Sequence, residues 1–448
     1  MRATRFSIPW GIHRHLFRVL IGLLSTLAVS YAPLPIATAA DNQFNTSVAA
    51  RVEYTDNIFL DADHALSDSI YTVAPRLEWV HKEERLSARV DGKAECYRYQ
   101  NHDEYDDVDQ WYNANLDYRP AERWQLSIAG HASDDNRPDR DIETTGMVLS
   151  NIRRKRFNTA VMASYTLSEI TSAGIQVSVN REDFDDPETS DRKDYSIAFF
   201  MNRSLEAWIA RTTGRLNAVF SHYDFDREYD FSQHGGWYDS TYAVEDRSAM
   251  DNYSVTLGSE TALSEKLDFS VDLGGRYARW ESESTTRQWI SFVAPLNLFF
   301  SDQYQEFSPE RNRYDSWGFV GVLELSYQGE RSDGSLLLSH DLTPVSGKNG
   351  TANRTAVKIA GSMRFLEKLR GNAAIQWYHN KSEQNDPTQA DIDTQTWNFQ
   401  MGISWKPNRH VIVNGNYVYT VYDNRSSGTT AYRNKLYIQL VAEHDWLE

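Results

Sequence analysis

From Phe44 onward the chain runs in segments of roughly ten to fifteen residues in which apolar and polar positions alternate. This period of two marks a strand whose faces meet different surroundings. Leu267, Phe269, Val271 and Leu273 interleave with Asp268, Ser270 and Asp272. Trp397, Phe399, Met401, Ile403 and Trp405 interleave with Asn398, Gln400, Gly402 and Ser404. Leu436, Ile438, Leu440, Ala442, His444 and Trp446 do the same with Tyr437, Gln439, Glu443 and Asp445. A helix would space its apolar residues three and four apart, which these segments do not.

The connections alternate in length. Tight turns are expected at His81 to Glu84, Pro120 to Glu122, Leu167 to Thr171, Leu205 to Ala207, Leu263 to Lys266, Gly329 to Asp333, Leu366 to Lys368 and Pro407 to Arg409. Between them lie longer stretches rich in Asp, Glu, Asn and Ser: Thr55 to Ser67, Asn101 to Asp107, Asp134 to Arg153, Asp183 to Asp191, Asp226 to Glu245, Glu281 to Arg313, Thr343 to Gly350, Lys381 to Asp391 and Asp423 to Ala431. Eight tight turns and nine long loops imply about eighteen strands, or 16 or 20 if the count slips by two, with both termini on the tight-turn side. The pattern therefore predicts an all-β fold, a transmembrane antiparallel up-and-down β-barrel with short periplasmic turns and long acidic extracellular loops. Trp289 to Phe300 is read as part of the long loop after Trp280, because another span would break the parity of the termini. Tyr and Trp gather near strand ends, as at Trp79, Tyr118, Trp280, Trp317, Trp405 and Trp446, where two interfacial girdles would place them.

The first forty residues differ. Arg2, Arg5, Arg14 and Arg18 precede an apolar run from Val19 to Val29 and then Ala37, Thr38, Ala39 and Ala40. This is the form of a cleavable secretory signal, so residues 1–40 are expected to be a signal peptide and 41–448 the barrel. Removing the signal takes the formal charge from −17 to about −21, which argues against nucleic acid as a partner. Few residues separate the expected cleavage point from Phe44, leaving no room for an internal plug domain of an active transporter. Beyond residue 40 no stretch approaches the 18 apolar residues of a spanning helix. A mean hydropathy of −0.61 is compatible with a barrel, which shows lipid only every second residue. The single cysteine, Cys96, permits no internal disulfide.

Charge of both signs recurs on the faces opposite the apolar ones: Arg51, Glu53, Arg76, Glu78, Arg89, Asp91, Lys93, Glu95, Asp268, Asp272, Arg276, Lys358 and Arg364. In a barrel these are expected to point into the lumen, lining a hydrophilic conduit or, alternatively, knitting a lumen closed by salt bridges or an infolded loop. The loop aromatics Tyr105, Trp237, Tyr238 and Tyr242 are candidates for stacking on sugar rings. No catalytic, cofactor or metal site is expected. Ser339, His340 and Asp341 are consecutive, and consecutive strand residues point to opposite faces, so they do not assemble a triad. Ser221 with His222 fails on the same ground, and the Asp-rich loops lack the ordered ligand spacing of a calcium loop.

Glu53, Tyr54, Thr55, Asp56, Asn57, Ile58 and Phe59, followed by Asp68, Ile70, Val73, Pro75 and Leu77, resemble the opening of the outer-membrane β-barrel porin family associated with bacterial exopolysaccharide export systems. The resemblance rests on about thirty residues. It implies a location in the bacterial outer membrane, among its lipid and lipopolysaccharide, and non-enzymatic passage of a polysaccharide beside a periplasmic polysaccharide export protein. A general diffusion porin, or a surface enzyme or adhesin working through the loops, are the alternatives.

Overall fold

The computed structural model describes residues 41–148, 151–293, 296, 300–382 and 391–447. The expected signal peptide and most of the expected loop Lys381 to Asp391 lie outside them. The strands are β1 (Asp41–Thr55), β2 (Asp68–Lys82), β3 (Leu86–Tyr99), β4 (Asp107–Ala121), β5 (Trp124–Asp135) and β6 (Arg154–Ser168). Next come β7 (Thr171–Phe184), β8 (Asp191–Ser204), β9 (Thr212–His234), β10 (Tyr238–Ala262), β11 (Leu267–Phe292) and β12 (Gln303–Glu306). The remainder are β13 (Glu310–Gln328), β14 (Ser332–Pro344), β15 (Thr351–Leu366), β16 (Leu369–Ser382), β17 (Asp393–Asn408), β18 (Val411–Asn424) and β19 (Thr429–Asp445).

Apart from the short β12, each strand pairs antiparallel with the next, β11 with β13, and β1 pairs with β19 from Asn45–Asp445 to Thr55–Lys435, so the sheet closes on itself. The four-residue β12 only borders β11 at Arg287–Ile290, which leaves an 18-stranded barrel. Closure gives every wall strand two neighbours, and this is why a sheet can stand in a bilayer at all. The outward positions are apolar and uncovered: Val52, Val161, Phe199, Leu257, Phe319, Met401 and Ile438 are each 48–67% exposed. A continuous apolar belt of this kind marks a lipid-facing surface, where covering each large side chain contributes roughly 1.5–3 kcal/mol.

All eight tight turns fall where the pattern places them. Two of the expected loops are corrected. Asp226 to Glu245 and Glu281 to Arg313 are largely strand, because β9, β10 and β11 run for 23, 25 and 26 residues. Their upper parts are polar enough to read as loop, yet the period of two persists. Tyr229 and Phe231 share a face with Tyr242, which stacks on Phe231 at 4.7 Å, while Glu228 and Asp230 take the other. Cross-strand ion pairs such as Arg287–Glu306 at 3.2 Å hold this flap, and Trp289 belongs to β11.

The wall is interrupted at one height. β13 and β14 pair from Gln328–Asp333 up to Gly321–His340 and no further. Above that point the β14–β15 hairpin leans under the inner face of β9–β13. Leu342 joins Phe225, Met250, Ala278 and Trp280 in a buried cluster, and Asn353 Oδ1 accepts a bond of 2.7 Å from Arg276.

Candidate channel and its constriction

Alternation carries the charges singled out in the sequence onto the inner side of the wall. On β1–β3 they form a ladder of opposite signs: Arg51 lies 3.6 Å from Glu53 and 3.4 Å from Glu95, Lys93 2.5 Å from Glu95, and Arg76 3.4 Å from Asp91, while Arg89 meets Glu78. Asp272 accepts from Arg215 at 2.6 Å. Asp268 stands four residues away on the same face of β11, and Arg364 stands opposite Arg370. Arg276 differs. It is 2% exposed, held by Ser316 and Asn353, and so faces packed protein rather than an open lumen. The overlap of β14 and β15 beneath it is what covers it.

The segment 136–153 is the correction of most consequence. Expected as part of an outward loop, its residues 136–148 fold into the barrel around a single helical turn, Ile142–Thr145, that ends at Gly146 with φ +68°. Its root is fixed by buried charge. Arg154, 2% exposed, donates to Asp141 at 2.7 Å and to Glu182 at 2.9 Å, and Ser346 adds a bond of 2.7 Å to Glu182. Arg140 donates to the carbonyls of Asp135 and Ile152 at 3.1 and 2.9 Å. The tip reaches the far wall. Asn380 donates to Thr145 O at 3.0 Å, Gln400 to Glu143 Oε1 at 2.8 Å and Lys358 to Glu143 O at 3.4 Å, while Tyr378 and Thr396 donate to Glu143 O and Gly146 O.

Arg137 reaches Glu53 at 3.0 Å, and Asp139 takes Lys435 at 3.0 Å and Arg433 at 3.2 Å. Burial by itself would raise the Asp139 carboxyl, but Lys435, Arg137 and Arg433 outweigh it and hold the group well below the usual carboxylate range. The segment 345–350 comes in from another side, and Val345 packs with Met147, Ala352 and Ile392. Two infolded segments therefore meet within the barrel, and the passage is constricted rather than open.

On the inner face of β16–β18 stands a group of amides and hydroxyls: Asn398 and Thr420 are buried at the level of the infolded tip, whose Glu143 reaches down to Gln400, and Asn372, Asn414 and Asn416 lie below it. Gln376, Asn398 and Thr420 lie side by side in register, with Asn398 Nδ2 donating to Gln376 at 3.4 Å and Thr420 to Asn398 at 3.1 Å. Asn372 and Asn416 lean over Gly402, where an added Cβ would strike both. Selecting charged positions alone misses this neutral wall, although alternate Asn, Gln and Thr along Asn372–Asn380 and Thr394–Ser404 was its signal.

The loop aromatics divide. Tyr105 packs edge-on against Phe59 at 4.9 Å in the cluster that ties the first two long loops together. Tyr242 is stacked on Phe231 and bonded by Gln288 at 2.7 Å. Trp237 and Tyr238, at the tip of the flap, are exposed. His340 faces outward to Thr355 at 2.9 Å, away from Ser339 and Asp341. His222 lies outside between Asp251 and Asp224, at 2.7 and 3.2 Å, with Ser221 inside. Among the described residues no group of three or more His, Cys, Asp or Glu is arranged to hold a metal ion. The motif around Asn57 is structural: Asn57 donates to Asp61 O at 2.7 Å and Tyr432 O at 3.1 Å, while Asn434 donates to Asp56, fastening the first loop across the β19–β1 closure.

No family model and no curated protein matches the chain. Among solved structures it is similar to a mutant of the ferric enterobactin receptor PfeA of Pseudomonas aeruginosa, at 11% identity and TM-score 0.39, over 91% of this chain and 81% of that one. It is also similar to OccAB3 of Acinetobacter baumannii, at 8% identity and TM-score 0.39, over 91% and 100% of the two chains. OpdL of Pseudomonas aeruginosa matches at 11% identity and TM-score 0.40, over 91% and 99%.

Proposed function

We propose that this barrel is an outer-membrane channel through which a polysaccharide leaves the cell, with no covalent chemistry performed on it. The observation that carries the reading is the neutral amide wall of β16–β18 beside and below the constriction, where Asn372, Gln376 and Asn416 remain accessible. A sugar hydroxyl both donates and accepts, and each amide side chain offers both partners without a fixed charge that would hold the solute in place. The inner charges of β1–β3 are already paired with one another, so they keep the passage wet without acting as a trap. The outward direction, the signal peptide at 1–40 and a periplasmic export partner follow from the sequence and from the resemblance carried by Glu53–Leu77. Outer-membrane lipid and lipopolysaccharide would cover the belt.

Deleting the gene in a polymer-producing cell is expected to abolish surface polymer while the polymer is still synthesised; unchanged surface polymer would overturn the reading. A second reading, a diffusion porin for small polar solutes, is favoured by the infolded segment 136–153, which narrows the lumen. It calls for large, steady, weakly selective conductance from the purified barrel in planar bilayers.

A further inference from the structure

Among the described residues each pair of wall neighbours is joined by a ladder of backbone hydrogen bonds, but the β13–β14 ladder stops at Gly321–His340 while β14 continues to Pro344. There the outward face of the β14–β15 hairpin lies against the inner face of β9–β13. Side chains join the two layers there: the apolar cluster Phe225, Met250, Ala278, Trp280 and Leu342, the contact of Thr351 Oγ1 with Met250 Sδ at 3.8 Å, the bond between Ser248 and Asn349, and the Arg276–Asn353 bond at 2.7 Å. Separating them breaks no β13–β14 ladder, and costs the hairpin at most its end pairs Ala352–Ser382 and Asn353–Lys381 with β16 and the Ser190–Gly347 bridge. It exposes a slot whose outer wall carries Phe225, Met250, Ala278 and Trp280 and whose inner wall presents Leu342 beside Thr351 and Asn353, with Trp317, 81% exposed, and Phe319, 51% exposed, on its outer lip within the lipid-facing belt.

We propose that this seam is a lateral port between the lumen and the outer leaflet, and that its substrate is a glycan bearing an acyl chain. A wholly hydrophilic solute gains nothing from a slot lined by Phe225, Met250 and Leu342. An amphipathic one matches both surfaces, its sugar against the amide wall and its chain through the seam. The moving face is that of Leu342, Thr351 and Asn353, while Val345 and Ser346, at the turn of the same hairpin, stay with the constriction. This inference rests on the glycan-channel reading.

The test locks the seam in the intact barrel. Met250→Cys with Thr351→Cys, in a Cys96→Ala background, is reconstituted into vesicles, and the transfer of a fluorescent dextran oligosaccharide and of its palmitoylated counterpart is followed before and after oxidation. The reduced form of the same protein is the control for folding. Both probes are expected to pass in the reduced state, and oxidation is expected to abolish transfer of the palmitoylated probe alone, while Asn353→Ala, which removes the acceptor for Arg276, speeds it. Transfer of both probes unaffected by the crosslink overturns the port. Loss of both on oxidation also overturns it, since the hairpin would then gate the axial passage only. If the reduced protein passes the plain oligosaccharide but never the palmitoylated one, the port fails and the channel stands; if it passes neither, the channel reading fails and takes the port with it.

Discussion

Arg154 and Asp139 are the two side chains on which the infolded segment depends most. Arg154 neutralises Asp141 and Glu182 in a place with almost no access to water. Removing it leaves buried carboxylates facing each other, so Arg154→Met is expected to cost about 3–5 kcal/mol, read as a lowered urea midpoint of the refolded barrel. Arg364→Met, on an exposed inner position, should stay within about 0.5 kcal/mol. Asp139 adds a pH dependence. Its folded-state value lies below that of the unfolded chain, so its contribution is complete at neutral pH and is lost only as pH falls through the folded value. Single-channel conductance should therefore stay constant from pH 7 down to about 4 and rise only below that, with Asp139→Asn removing the acid step. A rise between pH 5 and 7 would assign the docking to other groups.

At the scale of elements, the segment 136–153 is a short insert between β5 and β6 whose direction is set by its tip. Gly146 sits in the left-handed region with Tyr378 packed where a side chain would begin. Gly146→Ala therefore meets both backbone strain, on the order of 1 kcal/mol, and a collision. Excising residues 142–148 removes the tip without touching the wall ladders of β5 and β6. That deletion is expected to raise the conductance of the purified barrel several-fold, and Gly146→Ala by a smaller step in the same direction. Conductance unchanged by the deletion would mean that the narrowest point lies elsewhere, at the segment 345–350.

For the molecule as a whole, the two faces of the wall meet different solvents, and adjacent residues of one strand report it. Ile438 is outward, 62% exposed in the middle of β19, and Gln439 is its inward neighbour, paired with Arg51 and Asn414. Ile438→Arg is expected to cost roughly 2–4 kcal/mol of barrel stability in lipid vesicles, as a cation on the lipid face does near the midplane. Gln439→Arg should change stability by about 0.5 kcal/mol or less. The reverse ranking would mean that the belt is not the lipid face.

What the sequence determined by itself was everything that depends on neighbours along the chain or across one tight turn. The alternation Leu436–Trp446 sets which face of β19 is outward, and turns such as Leu366 to Lys368 set the register of β15 on β16, so strand count, pairing and closure follow from local chemistry. Only the tertiary structure decided the constriction and the seam. Asp134 to Arg153 is as polar as a solvated loop, and nothing within it says that Tyr378, Asn380, Thr396 and Lys435, more than two hundred residues later, present the matching donors. Arg276 likewise reads as one more lumen charge by its period of two, and became a pin between layers because β14 and β15 slide beneath it. Alternation fixes a face, but what that face touches depends on contacts between segments far apart in the chain.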